Sequence, residues 1–289
     1  MVKYTGKLNI PILMYHSISD NSSSRDKQYC LSTEVFEEHL SYLAQCHYTS
    51  LTVTQLVNTM VRGGDGLPPR PVVLTFDDGY ADFYTNVFPA LQRHSFRATL
   101  YIPTAFIGGT CSWLKQRSER VLSMITWEQL AEVCASGIEC GSHSHTHASL
   151  DMVPPSIARD EIVRSKEQLE EHLRQEILSF AYPYGYYTKR VKQIVQESGY
   201  TSACAVKNAV SSLQDDPYSL ARLAITKDTQ MDDLAIALSI GEGPLVASPV
   251  KQVSSRIRQR TRSLYWQLWC GWNNNYASER KKMEAINVN

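Results

Sequence analysis

The 289-residue chain lacks several features that assign a protein to a class directly. No run of residues approaches the ~18 apolar positions that a transmembrane helix requires. The formal net charge is zero, so composition gives no case for nucleic-acid binding. The chain has seven cysteines, an odd number, and no two of them form a CxxC motif. This pattern disfavours a disulfide framework or a structural zinc knuckle, and it fits a reducing compartment.

The first residues of the sequence also make a poor signal peptide. The apolar stretch 8–16 is short, contains Pro11 and has the pattern of a strand. These features favour a cytoplasmic location, unless the natural start lies upstream of Met1.

Short apolar runs alternate with helical patterns along most of the chain. The runs are rich in branched or aromatic residues, as buried parallel strands are, and cover 10–16, 71–76, 98–102, 138–141, 177–182, 201–206 and 220–226. Helical patterns cover 32–45, 80–94, the segment from the Thr126–Gln129 capping box to Gly137, 156–174 and 188–198. The alternation predicts an α/β fold, a deformed (β/α)7-8 barrel that is either complete or incomplete.

Polar residues follow three of these predicted strands. Asp77 and Asp78 come after the second, His143 and His147 after the fourth, and Tyr184 after the fifth. In βα barrels the chemistry lies at the C-terminal ends of the strands. We therefore expect the three segments to meet on one face of the barrel.

The residue types in two of these segments suit hydrolysis at a metal ion. Asp77 and Asp78 are adjacent, so one carboxylate can bind metal while the other faces the substrate. His143 and His147 can approach one ion, and imidazoles suit Zn²⁺ and other first-row metals. Taken alone, the first segment is equally well an Asp-Asp-Gly turn and the second a polar loop.

The third segment, 180–185, reads FAYPYG. Its proline and glycine favour a tight loop that can offer a backbone N–H to a developing oxyanion. Its aromatic residues, taken alone, fit core or rim packing equally well.

Together the three segments resemble the polysaccharide deacetylase family (NodB homology, carbohydrate esterase family four). TFDDG at 75–79 is similar to its first motif, GSHSHTHASL at 141–150 to its H-[ST]-x-x-H motif, and YPYG at 182–185 to the latter part of its R-x-P-Y motif. The resemblance covers about residues 8–230. PILMYHSI at 11–18 is similar to the opening of the exopolysaccharide-deacetylase branch.

The resemblance implies a NodB-type barrel over 1–246 and metal-dependent removal of N-acetyl groups from amino sugars of a polysaccharide or a lipid-linked saccharide. It makes Asp77 the catalytic base and gives the oxyanion a hydrogen bond from the Tyr184 backbone N–H. The implied metal ligands are Asp78, His143 and His147. Zn²⁺ is the expected ion, with Co²⁺, Ni²⁺ or Mn²⁺ as alternatives.

The chain departs from the family pattern in two places. Ala181 stands where the third motif has an Arg that orients the base, and we expect Arg222 to replace it. The family's fifth motif ends in a His that serves as the acid, but residues 223–226 contain none. His16, at the end of the first predicted strand, is the candidate acid; the alternative is a buried structural histidine.

Two other functions remain open at this point. One is a weak or inactive carbohydrate-binding protein that keeps the fold. The two departures support this hypothesis, whereas the retained Asp77 argues against it. The other is a metal-dependent amidase acting on a non-sugar amide, because the same chemistry allows it.

Residues 247–289 are predicted to form a separate basic, Trp-rich tail with eight Lys or Arg and two Glu. Its apolar residues recur at helical spacing: Val253, Ile257, Leu264, Leu268 and Trp272. Arginines attract anionic lipids while Trp and Tyr favour the interface, so peripheral membrane contact through 251–272 is one of the hypotheses left open. The alternatives are packing on the barrel and disorder.

Liposome co-sedimentation tests this expectation. The full-length protein should pellet with anionic vesicles and a variant ending at Val246 should remain in the supernatant, because the basic and aromatic residues of the tail supply the attraction. Equal, negligible pelleting of both proteins would contradict membrane contact through the tail.

Overall fold

A computed structural model describes residues 9–20, 27–111 and 122–239. Its strands are β1 (Asn9–Ile10), β2 (Ile12–Tyr15), β3 (Ser17–Ile18), β4 (Cys30–Leu31), β5 (Thr49–Leu51), β6 (Pro71–Phe76), β7 (Thr99–Ile102), β8 (Glu139–Ser142), β9 (Ser179–Ala181), β10 (Ser202–Cys204), β11 (Ser211–Ser212) and β12 (Leu223–Ala224). Its α-helices are α1 (Thr33–Gln45), α2 (Val53–Val61), α3 (Phe88–Arg93), α4 (Trp127–Ala135), α5 (Pro155–Leu173), α6 (Lys189–Glu197) and α7 (Met231–Ser239).

Eight of the strands form one parallel sheet that curls into a deformed barrel. The order is β12, β2, β6, β7, β8, β9, β10, and β5 pairs with the first half of β6. Leu220 makes a parallel bridge with Cys204 at the end of β10, and β12 pairs with β2 three residues later. The segment 220–224 therefore contacts both ends of the sheet. The expected α/β barrel class is confirmed, with seven strands in the curled path.

Alternation along β6 separates the two sides of the sheet. Val72 and Leu74 pack in the large cluster beneath the helices, whereas Val73 packs with Tyr101 and Ala181 in a smaller cluster inside the barrel. Side chains two residues apart on a strand share a face. The same parity points Asp77, the residue after the strand, toward the barrel interior.

Each of the seven strand segments expected from the sequence contains a strand of the sheet. The helix expected over 80–94 is wrong in detail, because a π-helical turn at Phe83–Val87 precedes α3. Pro89 in the first turn of α3 has no N–H to donate, which interrupts the α-helical ladder at this point. The sequence analysis also missed β5 and α2, although α2 opens with a Thr52–Gln55 capping box.

None of the helices in the described ranges is long and apolar enough to cross a membrane. The predicted tail 247–289 lies outside the described residues, so its separation from the barrel and its membrane contact stay predictions.

Gly141 offers a test of the packing at the end of β8. A Cβ at this position would lie 2.5 Å from Cδ1 of Tyr101 and 3.0 Å from the Ser179 carbonyl oxygen. Overpacking of this kind costs about 1–3 kcal/mol. We expect Gly141→Ala to lower the free energy of unfolding by that amount in urea titrations, although Gly-to-Ala changes at unstrained sites usually stabilise.

Gly109→Ala is the matched control for this substitution. Gly109 is exposed, and the nearest atom to an added Cβ is the Phe106 carbonyl oxygen at 3.3 Å. Because this one contact lies at 3.3 Å and none is below 3.0 Å, Gly109→Ala should lower the free energy of unfolding by less than Gly141→Ala. A Gly141→Ala protein as stable as the wild type would contradict the close packing of β8 against Tyr101.

Candidate active site

The structure brings the expected metal ligands together at the C-terminal ends of β6 and β8. Asp78 Oδ1 lies 3.2 Å from His147 Nε2 and 3.6 Å from His143 Nε2. One ligand atom from each of the three residues lies within 4.8 Å of the others, and all three side chains are buried. Ligand atoms about 2.1 Å from one tetrahedral ion stand roughly 3.4 Å apart, so this donor set fits a single metal ion.

His143 is held in the form that a metal ligand needs. Its Nδ1–H donates to the Ala181 carbonyl oxygen at 2.7 Å, which leaves the lone pair on Nε2 facing Asp78. Burial lowers the pKa of His143 to about 4, so the ring is neutral at ordinary pH. A second partner on the remote nitrogen is the usual way in which proteins orient a metal-binding histidine.

Asp78 is ionised despite its burial. Burial opposes ionisation, but His147 and the other histidines of the site hold the pKa of Asp78 well below its usual range. The Tyr80 hydroxyl donates to Asp78 Oδ2 at 2.8 Å and leaves Oδ1 facing the two imidazoles. The sequence analysis did not identify Tyr80, because a tyrosine two residues after an Asp carries no specific signal.

Asp77 forms a bidentate ion pair with Arg222. Nη1 donates to Oδ1 at 2.6 Å and Nη2 donates to Oδ2 at 2.7 Å. Burial alone would raise the pKa of Asp77, but the Arg222 charge, helped by His143, keeps it below its usual range. Asp77 Oδ2 lies 3.9 Å from His143 Nε2, so this ionised carboxylate stands directly beside the metal-ligand group.

Arg222 is completely buried and is held on several sides. Its Nε donates to the Ala205 carbonyl oxygen at 3.3 Å, and Nη1 also donates to the Thr75 hydroxyl at 3.2 Å. Its guanidinium carbon lies 5.6 Å from the centre of the Tyr101 ring. The Arg that the family motif would carry at position 181 is thus matched by one that arrives from the segment before β12.

His16 follows β2 and lies half-buried at the same face of the barrel. Its ring packs on Tyr29 at a centroid distance of 4.6 Å, and it is close enough to both aspartates to act on their ionisation. Its Nδ1 is buried and has no hydrogen-bond partner among the described residues. This position is compatible with the expected acid role, which stays a prediction.

Tyr184 lies in the 3₁₀ turn Pro183–Gly185 after β9, and its ring meets His147 edge to face at 4.7 Å. It has a left-handed backbone, with φ of 59°, as do Asp78, Ser144 and His147 at 75°, 64° and 56°. Such conformations are uncommon for residues other than glycine and cluster at functional sites. The oxyanion role of the Tyr184 N–H stays a prediction.

Two further residues shape the loop between the metal-binding histidines. Glu161, buried on α5, accepts hydrogen bonds from the Thr146 N–H and hydroxyl, both at 2.7 Å. The Thr104 hydroxyl lies 2.8 Å from His145 Nδ1, so His145 faces away from the metal-ligand group. No sequence signal separated Glu161 from the other acids of its charged helix.

The barrel and this donor set are together suited to hydrolysis at a single metal ion. Comparisons with known proteins identify the family. Residues 64–203 match the family model described as polysaccharide deacetylase. YxkH of Bacillus subtilis (strain 168) is 27% identical over 225 residues, which cover 78% of this chain and 74% of that protein.

One further relative agrees with this match, and a solved structure shares the fold. The poly-beta-1,6-N-acetyl-D-glucosamine N-deacetylase of Staphylococcus aureus (strain MRSA252) is 23% identical over 218 residues, or 72% of each protein. The solved structure of the Streptococcus pyogenes deacetylase PplD in complex with acetate has a TM-score of 0.70 at 24% identity. That likeness covers 81% of this chain and 99% of the other, and it shows the shared fold.

The chain carries a polysaccharide deacetylase domain, which places it with hydrolases that act on amide C–N bonds.

Removing one partner of the Arg222–Asp77 pair should destabilise the protein strongly. Arg222→Met leaves a buried carboxylate without its counter-charge, which costs about 3–5 kcal/mol of unfolding free energy. Urea unfolding at neutral pH in the presence of a chelator measures this loss. The double variant Asp77→Asn/Arg222→Met should recover most of it, because no buried charge is left unpaired.

The loss should also depend on pH in a defined direction. The wild-type pair stabilises above the unfolded carboxyl pKa of about 3.9, and this stabilisation is lost as pH falls through the lower folded pKa of Asp77. In Arg222→Met the buried Asp77 takes up a proton as pH falls, so the gap to the wild type should shrink toward about pH 4. A surface pair provides the control: Arg159→Met, which breaks the contact with Glu197, should cost less than about 1 kcal/mol. Equal losses for Arg222→Met and Arg159→Met would contradict the buried pair.

Proposed function

We propose that the protein removes N-acetyl groups from amino sugars of a polysaccharide or a lipid-linked saccharide, with Asp77 as base. One observation carries the proposal. Asp77 is an ionised carboxylate, oriented by Arg222, that stands 3.9 Å from a ligand nitrogen of the metal-binding group without belonging to that group. Such a separate base can take the proton of the attacking water in hydrolysis at a metal.

Asp78, His143 and His147 would hold a divalent ion, with Zn²⁺ as the expected one. Their spacing, burial and neutral imidazole support this choice. When bound, the metal supplies polarisation of the amide carbonyl and a water molecule of lowered pKa.

Asp77 accepts the proton from the water as that water attacks the carbonyl carbon. The two hydrogen bonds from Arg222 fix the orientation of the carboxylate and hold it ionised, so that it starts the reaction able to take a proton. Arg222 itself donates hydrogen bonds to the Thr75 hydroxyl and the Ala205 carbonyl oxygen. These bonds fix the guanidinium, so the Asp77 carboxylate has little freedom to rotate toward the metal ligands.

The negative charge that develops on the amide oxygen is stabilised by a hydrogen bond from the Tyr184 N–H. The nitrogen of the sugar leaves poorly as an anion, so it must gain a proton when its bond to the acetyl carbon breaks. His16 supplies this proton, from the side of the aspartates opposite to Tyr184. Water and amide thereby give acetate and the free amine.

The proteins to which this chain is similar favour a saccharide substrate over other amides. The Staphylococcus aureus relative is named for poly-beta-1,6-N-acetyl-D-glucosamine, and the family model is that of polysaccharide deacetylases. The missing motif Arg was one of the two departures that argued for an inactive binding protein. The Arg222 contact weakens that argument, because the base has its partner from the segment before β12.

Two isosteric substitutions separate the proposed roles of the adjacent aspartates. Asp77→Asn should retain bound zinc and lose acetate release by at least about 100-fold, because only the proton acceptor is removed. Asp78→Asn should lose zinc as well as activity, because a ligand is removed. Metal content by mass spectrometry and acetate release from N-acetylglucosamine oligomers measure the two effects.

Chelation of the wild type should abolish acetate release, and added Zn²⁺ should restore it. The exposed Asp228→Asn is the control, since its carboxylate pairs only with neighbouring Lys227 among the described residues, and it should change neither readout. Full activity in Asp77→Asn would remove the assigned base, and full activity in metal-free protein would remove the metal.

A further inference from the structure

Tyr80 lies buried beside the metal-ligand group, and the reaction described above gives it no task. Its ring packs with Phe106, Cys111 and Met124 in a small cluster that is separate from the two larger ones. A buried tyrosine usually finds a hydrogen-bond partner for its hydroxyl. Here the partner is Asp78 Oδ2, at 2.8 Å, so the phenol engages one oxygen of a residue expected to bind the ion.

The backbone on both sides of Tyr80 is held by one short segment of the chain. The Ile125 N–H donates to the Gly79 carbonyl oxygen at 3.0 Å. The Ala81 N–H donates to the Ser123 carbonyl oxygen at 2.9 Å. Fixed backbone and a packed ring together present the phenol hydroxyl to its acceptor, so the contact does not depend on a mobile surface side chain.

The two carboxylate oxygens of Asp78 have different surroundings. Oδ1 lies 3.2 Å from His147 Nε2 and 3.6 Å from His143 Nε2, where the ligand atoms converge. Oδ2 accepts the Tyr80 hydroxyl instead. A carboxylate can bind a cation through one oxygen or through both. Because the phenol draws on the charge of Oδ2, its hydrogen bond favours binding through Oδ1 alone.

The number of oxygens that Asp78 supplies decides how many positions on the ion stay open. Hydrolytic zinc sites have three protein ligands and keep a further position for water or substrate. One oxygen from Asp78 and one nitrogen from each histidine make three ligands. A second oxygen from Asp78 would compete with water and substrate for the open position.

We propose that Tyr80 is a positioning residue that keeps Asp78 a one-oxygen ligand and thereby leaves a position on the metal for water. The residue acts through Asp78. The proposal rests on the metal site of the proposed function, and it adds to that function a side chain that sets the number of protein donor atoms.

Tyr80→Phe tests the proposal, because it removes the hydroxyl and keeps the ring in its cluster. Crystal structures of the zinc-loaded proteins should show Asp78 bound through Oδ1 alone in the wild type. In Tyr80→Phe both oxygens should bind, with Oδ2 moving to roughly 2.0–2.2 Å from the ion. For acetate release, kcat should fall about 10- to 100-fold, the usual effect of losing a partner of a metal ligand, with little change in KM.

A solution measurement and a matched control accompany the structures. Co²⁺ can replace Zn²⁺, and its visible absorption responds to the ligand set. The spectrum of cobalt-loaded Tyr80→Phe should therefore differ from that of the wild type. Tyr84→Phe removes a hydroxyl that donates to Glu132 Oε2 at 2.7 Å, outside the metal-ligand group. It should leave the ligation by Asp78, the cobalt spectrum and kcat as in the wild type.

Three outcomes would overturn the proposal. The first is a wild type in which both oxygens of Asp78 already bind zinc, a result that needs no variant. The second is Tyr80→Phe with one-oxygen ligation and an unchanged cobalt spectrum. The third is loss of the metal from Tyr80→Phe, because the hydroxyl would then support affinity and not the number of ligands.

Failure of the proposed function is distinguishable from failure of this inference. If the zinc-loaded wild type releases no acetate while Tyr80→Phe changes the ligation by Asp78, the deacetylation fails and the inference stands. If acetate is released and the ligation is the same in both proteins, the inference alone fails. A wild type that takes up neither Zn²⁺ nor Co²⁺ at Asp78 would overturn both.

Discussion

The buried ion pair between Arg222 and Asp77 is the interaction on which the rest of the site depends. Each charge alone would be costly in the barrel interior, and each is tolerated because the other satisfies it in a bidentate geometry. Asp77 follows β6, whereas Arg222 lies in the short segment that contacts both ends of the sheet. The pair therefore couples closure of the barrel to the state of the proposed base.

The two adjacent carboxylates have different electrostatic partners. Asp77 pairs with the permanently charged guanidinium of Arg222. Asp78 faces the imidazoles of His143 and His147, and burial keeps His143 neutral. The left-handed backbone at Asp78 ends the extended run of β6 and turns the second carboxylate toward the histidines. A metal-ligand group and a separate base can thus lie side by side without merging into one site.

Much of this arrangement was predictable from the sequence, for reasons that differ between fold and site. The other seven sheet strands lie in apolar runs with clear flanking signals, whereas β5 reads Thr-Ser-Leu and stands in no apolar run. The convergence of Asp77, Asp78, His143 and His147 follows from the position of each after a parallel strand. Arg222 became a candidate partner for the base on a different ground, because the family resemblance calls for an Arg where the chain has Ala181.

The supporting residues could not be found in this way. Tyr80 and Glu161 act through single hydrogen bonds whose partners depend on how loops fold, and a charged helix offers many equivalent acids. The π-helical turn before α3 and the positive φ angles of the site arise from tertiary constraints that no local propensity encodes.

A crystal structure of the zinc-loaded protein, with anomalous diffraction measured at the zinc edge, tests the central claim most directly. The account predicts one zinc ion ligated by Asp78, His143 and His147, with Asp77 still in its bidentate contact with Arg222 and outside the ligand set. Zinc bound by Asp77, or an Arg222 side chain turned away from it, would contradict the separation of base and metal ligand.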